Sequence, residues 1–203
     1  MKVWCLVYKE KNMNNENNVL EYDEVCPYSE GRAAVRKGEF WGYVDENGKL
    51  VSTDFTRSGK PGFPYNYAEP FCDGWAKVHD KVGQDDHCYL IDRNCNPMMV
   101  DGEYISSGDT MRNGVSIVGF DCFEDYRECP VDKDCHVLSE RFEEISYIGK
   151  KGIPYSDFGI YAMVRNGYKY GLLNVKYFEL ELPCEYGWTD FWEEIERLGI
   201  SFE

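Results

Sequence analysis

Long apolar runs are missing from these 203 residues. No stretch of about 18 apolar residues occurs, so nothing in the sequence reads as a membrane-spanning helix. Positive charge is also scarce, with 22 Lys and Arg against 37 Asp and Glu and a net charge of −15. That balance excludes the basic footprint which nucleic acids and anionic membranes require. Histidine occurs only three times, and none of the nine cysteines stands in a Cys-x-x-Cys pair, so the close ligand pairs that announce structural zinc are absent. An odd cysteine count argues against a disulfide framework and for reduced thiols in a cytoplasm. Met1–Tyr8 is apolar but short, runs into Lys9-Glu10-Lys11 and lacks a small-residue cleavage site. It reads as a strand, not a secretory leader.

Aromatic residues, by contrast, make up 16% of the chain, and they fall in a pattern. In Gly31 to Val51, Ala33 and Val35 lead one apolar run, Gly38 interrupts, and Phe40, Trp41, Tyr43 and Val44 form a second, β-favouring run. Asp45 to Gly48 then ends in Asn-Gly, the pair that accepts positive φ at both central positions of a tight hairpin, and Leu50-Val51 opens a third strand. The stretch predicts a three-stranded antiparallel meander. Its leading residues Gly31, Ala33 and Val35 recur as Gly74, Ala76 and Val78 and as Gly114, Ser116 and Val118, at steps of about 43 and 40 residues. A fourth copy aligns Val164 to Asn174 on Val35 to Asp45 without a gap, setting Tyr170 on Trp41 and Gly171 on Gly42.

The motif Gly-x-Ala-x-Val, then Trp-Gly-Tyr-Val-Asp-x-x-Gly, with links such as Tyr22-Asp-Glu-Val25 and Phe142-Glu-Glu-Ile145, resembles the WG (KWG) repeat family of bacterial proteins. The resemblance implies an all-β fold of tandem three-stranded repeats, as an open stack or a closed propeller-like ring, and a scaffold without a generally assigned biochemical role. The core signature is then Ala33, Val35, Trp41, Gly42, Tyr43, Ala76, Val78, Val118, Val164, Tyr170 and Gly171. In the second copy Cys88-Tyr89 takes the Trp-Gly slot, in the third the second strand is hard to place, and in the fourth the leading glycine is displaced to Gly159.

One repeat domain over 1–203 accommodates this: capping strands at 1–27, repeats at 28–70, 71–110, 111–154 and 155–187, and a helix at 188–203. The Asn-rich segment from Asn12 to Asn18 reads as a hairpin tip, and Ser58–Pro64 and Ile148–Pro154 as loops. The acidic, cysteine-rich segment 120–136 reads as a long excursion from the sheet. Near the end, Thr189 and Asp190 offer N-caps, Asp190 and Glu193 have capping-box spacing, and Phe191, Trp192, Ile195 and Leu198 leave an apolar stripe before Gly199. Local packing of that stripe on the last repeat is the expectation; an offered partner helix is the alternative.

Candidate chemistry is thin. Cys122, Cys129, Cys135 and His136, with His87 and Cys88 beside them, are the available zinc ligands, but their spacing is not that of zinc sites. Cys135 and His136 are strand neighbours pointing to opposite faces, which separates a thiol from its base. Asp45 and Asp92, at matching repeat positions, suit bonds to local turn amides better than calcium. Gly59 to Gly62 lacks the helix and the Lys-Ser/Thr of a phosphate loop. The sequence therefore predicts no enzyme, no cofactor and no resident metal. It predicts a cytoplasmic protein-binding scaffold whose surface comprises the 56–70 and 120–136 segments and an acidic face for a basic protein, such as a toxin or nuclease to be neutralised. The alternative is a cell-surface protein whose aromatics, among them Phe71, Trp75 and Tyr168, line grooves for glycans.

Overall fold

Alternating apolar side chains and two-residue turns organise the chain into antiparallel hairpins, which the computed structural model describes over residues 22–51, 62–82, 85–122, 125–148 and 160–200. The expected strand at 3–8, the Asn-rich tip, and most of the Ser58–Pro64 and Ile148–Pro154 loops lie outside the described residues. The chain divides into two compact units, Met1–Ser116 and Ile117–Glu203.

In the first unit β1 (Glu24–Val25), β2 (Arg32–Lys37), β3 (Phe40–Asp45) and β4 (Leu50–Val51) form one antiparallel sheet in sequence order. β2 and β3 turn at Gly38-Glu39 and pair Val35 with Gly42 and Arg36 with Trp41. One face buries Ala33, Val35 and Val44 against Tyr22, Leu50 and Phe63. On the strand positions between them, Tyr43 is fully buried, with ring centroids 6.2 Å from Tyr65 and 5.0 Å from Phe71. The tight Asn-Gly hairpin expected after β3 is a longer turn instead: Gly48 has positive φ but Asn47 does not. The reason is Asp45, whose Oδ1 accepts the amides of Asn47 and Lys49, each at 2.9 Å, and so holds a wider loop.

The next hairpin repeats the plan with β5 (Tyr67–Ala68), β6 (Ala76–Val82) and β7 (Asp85–Ile91). Val78 pairs with Tyr89 as Val35 pairs with Gly42. An additional hairpin follows, β8 (Met99–Val100) and β9 (Glu103–Tyr104), on Asp101-Gly102, both at positive φ. β10 (Ser107–Gly108) then pairs parallel to β7, Ser107 opposite Cys88. That pairing departs from a wholly antiparallel meander.

β11 (Val115–Cys122), whose first two residues end the first unit, and β12 (Asp125–Asp132) are neighbouring strands. They correct the expected excursion at 120–136, and β12 is the second strand of the third repeat. Its acids hid it: β12 is exposed at Asp125 and Tyr126, and only Cys129, Pro130 and Val131 are buried. β13 (Glu144–Tyr147), β14 (Tyr161–Asn166), β15 (Lys169–Asn174) and β16 (Glu179–Tyr186) form an antiparallel sheet in sequence order. Ala162 and Val164 face a cluster with Phe142, Ile145 and Leu173, whereas the intervening Met163 joins Leu172, Leu182, Phe191 and Ile195. The latter two belong to α1 (Trp188–Leu198), which covers that face.

The helix starts differently from the expectation. Gly187 is the N-cap, with no side-chain cap bond, and Asp190 sits in the first turn, where its charge suits the helix dipole. Trp188 is already helical, packed edge to face on Tyr170 at 5.1 Å. Gly199, at φ 66°, closes the helix by donating its N–H to the carbonyls of Glu196 and Ile195. Among the described residues no helix is long and apolar enough to cross a membrane.

Candidate functional site

Asp45, Asp92, Asp132 and Asn174 occupy one structural position, the last residue of a hairpin or the first after it. Each aspartate Oδ1 accepts two amides of the following turn: Asn94 and Asn96 at 2.8 Å for Asp92, Asp134 and His136 at 2.9 Å for Asp132. Gly48, Cys95 and Cys135 fill the same left-handed place three residues on, each donating its N–H to the Asp carbonyl at 2.9 to 3.0 Å. Cys135 and His136 are thus a repeat turn. The His136 ring meets Asp132 Oδ2 at 3.0 Å, as the Asn96 side chain meets Asp92 Oδ2 at the same distance. Asp132 holds the His136 imidazole above its ordinary pKa; burial works against the Asp132 carboxylate, but the bonds from His136 and Asp134 bring it below the usual carboxylate range.

Burial pushes Cys72, Cys88, Cys135 and Cys184 up, and Cys95 up to about 12, the reverse of a nucleophilic thiolate. Cys129 is buried in β12, His87 lies opposite Asp80 in the β6–β7 ladder, and the Cys122 side chain lies outside what is described. Among the described residues no group of three or more His, Cys, Asp or Glu is arranged to hold a metal ion.

The acids of the links have structural duties. In Asp23-Glu24, Asp23 accepts the Gly38 amide at 2.6 Å, and Glu24 pairs with Arg36 at 3.0 Å. Glu143-Glu144 does the same for the fourth repeat, to the Gly167 amide at 2.8 Å and to Arg165 at 2.9 Å. Arg36 and Arg165 each donate back to the carbonyl of that turn glycine. In the second repeat the equivalent pair is Tyr67 and His79, ring against ring at 5.4 Å. A further ladder joins successive tight turns in the first unit: Glu30 accepts the Gly74 amide at 2.9 Å and Asp73 the Gly114 amide at 2.8 Å. Burial opposes ionisation of Glu30, yet Arg93 and the Gly74 amide outweigh it and its pKa falls.

Of the signature residues, Ala33, Val35, Tyr43, Ala76, Val78, Val118 and Val164 are buried, and Trp41 and Tyr170 are partly so. Arg36 lies 5.9 Å from the Trp41 ring centroid. Gly42 and Gly171 are spots where following chain crosses: a Cβ on Gly42 would overlap the Gly62 carbonyl oxygen, and one on Gly171 would stand 2.8 Å from that of Leu182. Tyr89, Phe71 and Phe120 are core, whereas Tyr168 is exposed.

Acids outnumber bases, 37 Asp and Glu against 22 Lys and Arg. Several described cations pair with carboxylates: Arg93 with Glu30, Arg127 with Asp125 and Glu143, Lys133 with Asp134, Arg165 with Glu143 and Glu144, and Arg197 with Glu194. Sequence reasoning missed the link clamps, whose signal was two adjacent acids placed before an apolar residue, and the β8–β9 hairpin, whose signal was Asp101-Gly102.

Hairpins linked by acid–arginine clamps and closed by Asp-held turns define a β-repeat protein. A family profile described as a WG containing repeat matches residues 15–39, so this chain carries a repeat of the WG family. No curated protein and no solved structure matches the chain.

Proposed function

We propose that this chain is a non-enzymatic, protein-binding repeat scaffold that docks a basic protein through its acidic surface. The observation carrying this reading is the disposition of charge: Arg36, Arg93 and Arg165 are paired with carboxylates of the chain itself, while the chain keeps a net charge of −15. A surplus of one sign speeds encounter with a partner of the other and repels wrong ones. Burial of Tyr43, Tyr65, Phe71, Tyr89 and Phe120 in the hairpin cores favours this over glycan grooves. The docking surface belongs to exposed strand and helix positions, because Phe120, Cys129 and Val131 of the 120–136 segment fill the core.

Affinity capture from lysate of the native host, at low and high salt with mass-spectrometric identification, tests it. One basic protein held at low salt and weakened at high salt is the expected result. No protein retained under either condition overturns the reading.

A further inference from the structure

The outward flank of α1 combines three properties found together in protein-docking sites. First, Trp188 is 51% exposed, although it is among the largest apolar side chains. Second, it is held still: Tyr170 lies 5.1 Å from it at 69° and Trp192 lies 5.6 Å from it at 81°. A ring fixed before binding loses little entropy on contact, which is why immobile tryptophans dominate interfaces. Third, its surroundings on the helix are acidic. Trp188, Trp192 and Glu196 are spaced four residues apart on one stripe, and Glu193 stands on the adjoining one. Both glutamates are exposed, and the nearby Arg197 is spent on Glu194. The buried stripe of Phe191 and Ile195 anchors the helix and leaves this flank outward.

We propose that this Trp188–Glu193–Glu196 flank is the docking point for an arginine-bearing basic segment of the partner protein. The inference rests on the acidic-docking reading above and places it on one helix. Charge complementarity selects the occupant. A guanidinium stacks flat on an indole face while its N–H fork reaches a carboxylate, a combination that a lysine ammonium does not reproduce.

The test uses the full chain and two synthetic peptides of ten residues, (Arg-Gly)5 and (Lys-Gly)5, titrated at low salt by calorimetry and tryptophan fluorescence. (Arg-Gly)5 binds more tightly than (Lys-Gly)5, by about threefold, and shifts the fluorescence. Trp188→Ala weakens (Arg-Gly)5 by about fivefold. Glu193→Gln with Glu196→Gln weakens it to a similar degree, whereas Glu39→Gln with Glu46→Gln, the same charge change in the turns flanking β3, alters it less than about twofold. The glutamine pair removes no buried group, so it decides the matter even where Trp188→Ala loosens the helix. Equal weakening by both glutamine pairs, with Trp188→Ala neutral, overturns the α1 site and leaves diffuse acidic docking standing. Failure of both peptides to bind the unaltered chain overturns the acidic docking as well.

Discussion

Gly42 and Gly171 show how a single hydrogen in place of a methyl lets a following backbone segment approach a strand. Because a Cβ at 42 would overlap the Gly62 carbonyl, Gly42→Ala has to move backbone and costs about 3 kcal/mol. Gly38→Ala meets nothing within 4 Å and pays only for its positive φ of 64°, about 1 kcal/mol. Urea unfolding of both variants checks the order; equal losses contradict the close approach. At the third hairpin turn, the His136 pKa is raised and the Asp132 pKa lowered. A raised histidine stabilises below its unfolded value, near 6.5, and loses that as pH rises through its folded value. A lowered carboxylate stabilises above its unfolded value, near 3.8, and loses that as pH falls through its folded value. The pair is therefore worth most between those two pH values. NMR titration is expected to give His136 a pKa above that of a free imidazole, and Asp132→Asn to abolish the difference.

The link clamps add to short ladders, since β1 has two residues and β13 four. Arg165 gathers Glu143, Glu144 and the Gly167 carbonyl, fastening β13 to the β14–β15 turn. Its side chain is 30% exposed, so solvent screening limits its worth, and Arg165→Ala is expected to cost about 1 kcal/mol. Arg165→Lys keeps the charge but not the fork and restores less than half of that. Denaturant midpoints read both, and full rescue by lysine contradicts the geometric role. The clamp was half legible: the acids of Asp23-Glu24 and Glu143-Glu144 stand in plain view, but their arginine partners are fixed only by strand register. β12 was less legible still, because Glu128 looks like surface and instead accepts the Ile145 amide at 2.7 Å.

For the whole molecule, a net charge of −15 means self-repulsion in the folded state. Raising sodium chloride from about 20 to 300 mM is expected to raise the Tm by a few degrees, because screening relieves that repulsion over more than a Debye length. A falling Tm in a thermal scan means that pairs such as Arg36–Glu24 and Arg93–Glu30 outweigh it. The sequence by itself determined the recurrent hairpin, since alternation, turn glycines and aromatic cores are local and period-bound properties. It determined the terminal helix for the same reason, apart from its first residue. Only the tertiary structure decided that Cys135 and His136 are a turn, that 125–132 is a strand, and that Trp188 stays half outside while Phe191 is buried. Those outcomes depend on which backbone amide or ring comes to lie beside each side chain, and residues far apart in the chain supply them.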